Sequence, residues 1–180
     1  PTMGGLAFVA AAAVGWFVSD LNGAVFTRRG LLCMAAIVGA GAVGLLDDSI
    51  KVFRERNLGL SKRAKTVGLL FVATAFALSM LAFTNVATTL SFSRFDFPGV
   101  GIGKVGWVIF AVIIFYATTN AVNLTDGLDG LAAGASIFGF AAYTVIAFWG
   151  FRHNSIYGDQ SFLDTAVVSA SMMAAVAGFL

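Results

Sequence analysis

Leu31-Leu32-Cys33-Met34-Ala35-Ala36-Ile37-Val38-Gly39-Ala40-Gly41-Ala42-Val43-Gly44-Leu45-Leu46-Asp47-Asp48-Ser49-Ile50-Lys51 decides the fold. An uncharged apolar run ends abruptly in two adjacent carboxylates, and a basic segment follows. Crossing the hydrocarbon core of a bilayer takes about 20 apolar residues, with a range near 17–25. The run 30–46 therefore reads as a short membrane span, and its Gly39-Ala40-Gly41-Ala42-Val43-Gly44 core lets helix backbones approach closely. Such a helix is expected to pack inside a bundle.

Five further apolar stretches of spanning length lie outward of it, near 3–19, 66–87, 105–123, 130–151 and 163–180. Composition agrees. The chain has 180 residues, 59% apolar and 11% charged, with a mean hydropathy of +0.91. A soluble domain runs about 45–50% apolar and roughly 25% charged, so too little polar surface is left to cover a body in water. Disorder and nucleic-acid binding through a basic surface are excluded on the same grounds. The single cysteine, Cys33, excludes a disulfide framework and a Cys-based metal site. No internal repeat or Pro/Ser-rich linker divides the chain. The expected architecture is all-α, a polytopic membrane bundle of about six transmembrane helices forming one domain over 1–180. The chain opens on Pro1-Thr2-Met3 without a charged n-region and closes inside an apolar stretch, so it is expected to be an internal piece, truncated at both ends, of a longer protein.

Charge placement orients the bundle. Lys51, Arg54, Arg56, Lys62, Arg63 and Lys65 supply six of the 11 basic residues to the connection 47–65, which is expected to be cytoplasmic. Segments 20–29, 88–104 and 152–162 then fall outside, and 124–129 inside. Arg28 and Arg29 run against the trend. Trp16, Trp107 and Trp149 all fall at the outer interface, where indole rings are favoured. The outer segment 90–103 alternates apolar and polar residues before Pro98-Gly99, which suggests a small hairpin.

Four of the nine acids form two compact groups. Asp47-Asp48 closes the second span. Asn120-Ala121-Val122-Asn123-Leu124-Thr125-Asp126-Gly127-Leu128-Asp129-Gly130 sets two asparagines and two aspartates at the next inward-facing connection. The chain crosses out and back between them, so both groups share one membrane face. Adjacent carboxylates at a membrane boundary need a cation or bases nearby. Mg²⁺ takes hard oxygen ligands, often one or two carboxylates plus substrate phosphates, and Asn carbonyls can complete such a shell. Lys51 and Lys65 could hold phosphate oxygens as point charges, and the glycines beside Asp126 and Asp129 permit close backbone approach. Together these parts suit a phosphate-bearing substrate handled with Mg²⁺ at the inner face. Blander readings stand beside this one. Asp47-Asp48 alone is also a solvated helix end, and the basic run is also a topology signal that contacts anionic lipid. His153 and Cys33 read as structural.

Pro1-Thr2-Met3-Gly4-Gly5, the Gly44–Lys65 stretch with its Gly-Leu-Leu-Asp-Asp, Lys51, Gly59-Leu60-Ser61 and Lys65, and Asn120–Gly130 together resemble the phospho-N-acetylmuramoyl-pentapeptide transferases. These belong to the polyprenyl-phosphate N-acetylhexosamine-1-phosphate transferase superfamily. Asp-Asp and the Asn/Asp-Gly motif are shared across that superfamily; the Pro-Thr-Met-Gly-Gly opening and the full Asn-Leu-Thr-Asp-Gly-Leu-Asp-Gly string favour the muramoyl-pentapeptide branch. The resemblance covers essentially the whole chain and implies a parent of about ten helices. It implies transfer of phospho-N-acetylmuramoyl-pentapeptide from its UDP-linked donor to undecaprenyl phosphate in the bacterial plasma membrane, for peptidoglycan synthesis. Asp47, Asp48, Lys51 and Lys65 are implied as catalytic, and Asn120, Asn123, Asp126 and Asp129 as substrate-binding. Mg²⁺ is implied as cofactor, held by Asn123 with a further aspartate beyond Leu180, and with Asp47 and Asp48 as additional candidates. The piece 1–180 alone is therefore expected to be inactive. The resemblance leaves room for a homodimer. The alternatives are an N-acetylglucosamine-1-phosphate transferase of the same superfamily and, from another class, a secondary transporter with Asn/Asp at a broken helix.

Overall fold

The computed structural model describes residues 4–23, 26–53, 59–90, 99–125 and 130–180. Six helices are long and apolar enough to cross a membrane. They are α1 (Gly4–Gly23), α2 (Arg28–Phe53), α3 (Lys62–Phe83), α4 (Gly103–Thr125), α5 (Leu131–Arg152) and α7 (Ser161–Phe179); a single turn, α6 (Asn154–Tyr157), lies before α7. The only strands among the described residues are β1 (Thr89–Leu90) and β2 (Val100–Gly101), paired antiparallel with Thr89 opposite Gly101. They lie in and beside the segment 90–103 expected to form a hairpin, of which residues 91–98 lie outside the described residues.

Helices α1, α2 and α5 pack on α7, α3 packs on α2, and α4 on α3. The centre of the bundle holds Trp16, Met34 and Val168, with Ala13, Cys33, Ile37 and Val167 against them. Glycine brings the helices close: Val72 meets the space beside Gly39, and Val9 the space beside Gly41. The small-residue run of α2 thus packs against α1 and α3, as expected for such a run. Leu31, Val38 and Leu46 on the same helix stay exposed, and α4 buries no residue among those described.

One expectation is extended and one needs correction. The helix that carries the second span runs beyond it, to Phe53. Its 26 residues span about 39 Å at 1.5 Å per residue, longer than a hydrocarbon core of about 30 Å, so the polar turn 47–53 extends the helix past the apolar zone. Trp16 does not sit at a lipid interface. It is 6% exposed and donates from Nε1 to Asp164 Oδ1 at 2.8 Å.

Asp164, fully buried in the first turn of α7, joins three helices. Its Oδ2 accepts from the backbone N–H of Thr27 at 2.7 Å and from Thr27 Oγ1 at 2.5 Å. Thr27 Oγ1 in turn accepts from Gly30 N at 3.1 Å, capping the start of α2. A Cβ on Gly30 would overlap both carboxylate oxygens of Asp164, so only glycine admits this approach. Nearby, Arg29 NH1 pairs with Asp159 Oδ2 at 2.7 Å. That pairing explains how an arginine is accommodated at the end of the bundle where charge statistics do not place it.

Asp164→Ala strands the Trp16 and Thr27 N–H donors, at about 1–3 kcal/mol for each donor left buried without an acceptor. A clear fall in the thermal unfolding midpoint in detergent is expected, and an unchanged midpoint would refute the junction. Burial raises the Asp159 carboxyl pKa, but hydrogen bonding at Ser161 and the Arg29 guanidinium outweigh it and hold the group below its ordinary value. Its stabilising contribution is therefore present above the unfolded value of about 3.9 and is lost as pH falls through the lower folded value. Acid unfolding of Asp159→Asn should accordingly be less steep below about pH 4 than that of the parent.

Candidate active site

The polar end of α2 is built by helix periodicity. Lys51 stands four residues after Asp47 and three after Asp48, the two spacings that bring helical side chains together. Its Nζ lies 2.8 Å from Asp47 Oδ2 and 2.9 Å from Asp48 Oδ1. One ammonium thus neutralises part of the charge of two neighbouring carboxylates. The other oxygen of Asp47, Oδ1, accepts the backbone N–H of Leu60 at 2.7 Å. Asp47 is 9% exposed; Asp48 is more open, and Lys51 is its one hydrogen-bonding or ionic partner among the described residues.

The segment after Leu60 is fixed by a cap. Ser61 Oγ accepts from Ala64 N at 3.2 Å and starts α3. Lys65 follows in the first turn, half-buried and near enough for its charge to act on Asp47. One residue on, Thr66 Oγ1 and Tyr116 Oη are 3.1 Å apart and tie α3 to α4. Asn120 lies one turn beyond Tyr116 and donates from Nδ2 to the Tyr116 carbonyl at 2.8 Å. Asn123 follows, exposed, in the last turn of α4.

The bundle therefore brings Asp47, Asp48, Lys51 and Lys65 into one cluster and sets Asn120 and Asn123 at the same end. Asp126 and Asp129 lie outside the described residues. Gly130, which follows them, has a φ of 80°, a left-handed conformation that glycine adopts without strain. Among the described residues no three His, Cys, Asp or Glu side chains are grouped to hold a metal. The donors at hand, the Asp47 and Asp48 carboxylates and the Asn123 amide, are oxygen donors, the type Mg²⁺ takes.

The Leu60 N–H has no counterpart in the side-chain reading of the motif. Its role depends on where the loop folds back onto α2, and the only signal for it was the Gly59-Leu60-Ser61 string. Asp164 was also missed. An acid one turn inside an apolar run was its signal, and its partners are distant in sequence. The His153 ring stacks on Trp149, with centroids 4.1 Å apart.

Comparison with known proteins gives a consistent result. Residues 30–180 match the model of glycosyl transferase family 4. The whole chain is 41% identical to 56% of the phospho-N-acetylmuramoyl-pentapeptide-transferase of Corynebacterium efficiens. It is 44% identical to 54% of the protein of that name from Frankia alni, and 43% identical to 55% of that from Streptomyces avermitilis. The chain spans about half the length of these curated relatives. With the family model matched over most of its length, the chain belongs to glycosyl transferase family 4.

Proposed function

We propose that this chain carries acidic and basic residues of a phospho-N-acetylmuramoyl-pentapeptide transferase. The observation that carries the reading is the Asp47–Lys51–Asp48 cluster at the bundle end that also bears Lys65, Asn120 and Asn123, in a chain 41–44% identical to proteins of that name. Family membership favours it over a transporter. The N-acetylglucosamine branch of the superfamily is disfavoured by the names of the relatives.

In this reading a phosphate oxygen of undecaprenyl phosphate attacks the β-phosphorus of UDP-N-acetylmuramoyl-pentapeptide. The bond to the bridging oxygen breaks, UMP leaves, and the first lipid-linked peptidoglycan precursor forms. Such transfers depend chiefly on positioning and charge neutralisation. Lys51 and Lys65 hold phosphate oxygens. Asp47, engaged by Leu60 N–H and Lys51, orients rather than abstracts a proton, because a phosphate monoester with a second pKa of about 6 is already largely ionised. Direct attack therefore needs no aspartyl intermediate. Mg²⁺ would be held by Asn123 with Asp48 or Asp47, and when bound would neutralise the diphosphate. Asn120, Asp126 and Asp129 serve the nucleotide-sugar. The six basic residues of the connection 47–65 support a cytoplasmic side for this end, in the bacterial plasma membrane.

Two experiments test the reading, both in the full-length protein that contains this chain. In a Cys33→Ala background, Ser61→Cys and Thr125→Cys should be shielded from an impermeant thiol reagent in intact cells, and Ser155→Cys labelled. Outside labelling at position 61 would overturn the topology. Asp47→Asn, Asp48→Asn and Asp126→Asn should each lower turnover at least about 10²-fold, the lower end of what a positioned catalytic group supplies, with little change in unfolding midpoint. Lys51→Ala should weaken nucleotide-sugar or lipid-phosphate binding. Near-normal turnover in both the Asp47 and Asp48 variants would return that pair to the role of a solvated helix end.

A further inference from the structure

We infer that Gly59 and the Leu60 backbone N–H are positioning residues that clamp Asp47, so that the loop entering α3, and not α2 alone, sets where the acidic pair and Lys51 stand. The inference rests on the transferase reading of Asp47 given above.

Three observations carry it. Leu60 N donates to Asp47 Oδ1 at 2.7 Å, and Lys51 Nζ holds the other oxygen at 2.8 Å, so the carboxylate plane is fixed from both sides. A Cβ on Gly59 would overlap Asp47 Oδ1 and lie 2.7 Å from the Asp47 carbonyl oxygen and 2.8 Å from its Cγ. Rotating the aspartate would relieve the first and last of these contacts but not the one with the backbone oxygen, so any side chain at position 59 pushes the loop away from α2. The Ser61 cap ties Leu60 to the first turn of α3, and Lys65 stands in that turn. Displacing the loop therefore moves the Leu60 donor and Lys65 relative to the acids together. Asp48 has no equivalent backbone donor among the described residues, and Lys51 bridges it to Asp47. Its placement follows from the clamp at one remove.

The test is a double-mutant cycle in the full-length protein, read as kcat per titrated nucleotide-binding site so that loss of folded protein does not count. Gly59→Ala should lower this kcat at least about tenfold, since displacements near 1 Å can cost about 10²-fold, while the KM for the UDP-linked substrate changes less than kcat. In an Asp47→Ala background the same substitution should cost at least about threefold less than in the parent, because the part of the loss that acts through the Asp47 carboxylate is gone and only the displacement of Lys65 remains. An equal cost in both backgrounds would show that Gly59 merely supports the fold and would overturn the clamp; so would an unchanged kcat in Gly59→Ala. If Gly59→Ala does not accumulate, Leu60→Pro, which removes the donor without placing a Cβ at 59, takes its place in the cycle with the same two outcomes. Near-normal turnover of Asp47→Ala alone would instead refute the role of Asp47 in the reaction, and the clamp with it, and is distinguishable because it appears before position 59 is touched.

Discussion

The carboxylate of Asp164 is the constraint on which the arrangement of the bundle depends. The oxygens of a buried carboxyl group must be met by donors held in place, and the donors here come from two other helices. Trp16 brings α1, and Thr27 brings the start of α2. Apolar contacts among membrane helices are weakly selective, because lipid tails are as apolar as leucine. A directional acceptor in the first turn of α7 supplies the register that those contacts lack. It fixes which face of α1 looks inward and where α2 begins, and Gly30 is the residue that permits the approach.

From that start α2 behaves as a rod between two polar knots. Thr27 caps one end; Asp47 stands about 30 Å further along at 1.5 Å per residue. Between them Gly39 and Gly41 receive Val72 and Val9, so neighbouring helices slide little along the rod. The depth of the Asp47–Lys51–Asp48 cluster is thereby set by a junction at the opposite end of the bundle. A helix of this length cannot hold both ends inside a hydrocarbon core of about 30 Å, which places the acids near its boundary.

The spans were legible because hydrophobic length in a bilayer is a one-dimensional quantity; each of the six long helices overlaps one of the apolar runs, although α3 ends at Phe83 and not near 87. The Asp47, Asp48 and Lys51 grouping was legible because it is local and follows helical spacing. The length of α2 beyond the span was not, since hydrophobic length marks only the apolar part of a helix and carries no signal for the polar turn that ends at Phe53. Trp16 was misread for another reason: interfacial preference is a statistical tendency of indole, and a specific acceptor contributed by α7 overrides it. The Leu60 N–H was invisible because a backbone donor carries no side-chain signature.

The charge arithmetic of the cluster explains why the two acids do not repel the anions that the transferase reading brings to them. Adjacent positions on a helix point roughly 100° apart, so Asp47 and Asp48 diverge, and a single lysine a turn later lies between their rows. Two carboxylates and one ammonium leave a net charge of −1, which by itself disfavours a diphosphate. Lys65 on the facing helix acts on Asp47 and brings the four side chains to neutrality. Neutrality still supplies no attraction for a substrate that carries several negative charges, and Lys51 shares its ammonium between the two acids and any phosphate oxygen it holds. Further positive charge must come with or beside the substrate. A divalent cation held by oxygen donors such as Asp48 and Asn123 is suited to that role, and Asp48 is the member of the pair whose carboxylate the backbone leaves open.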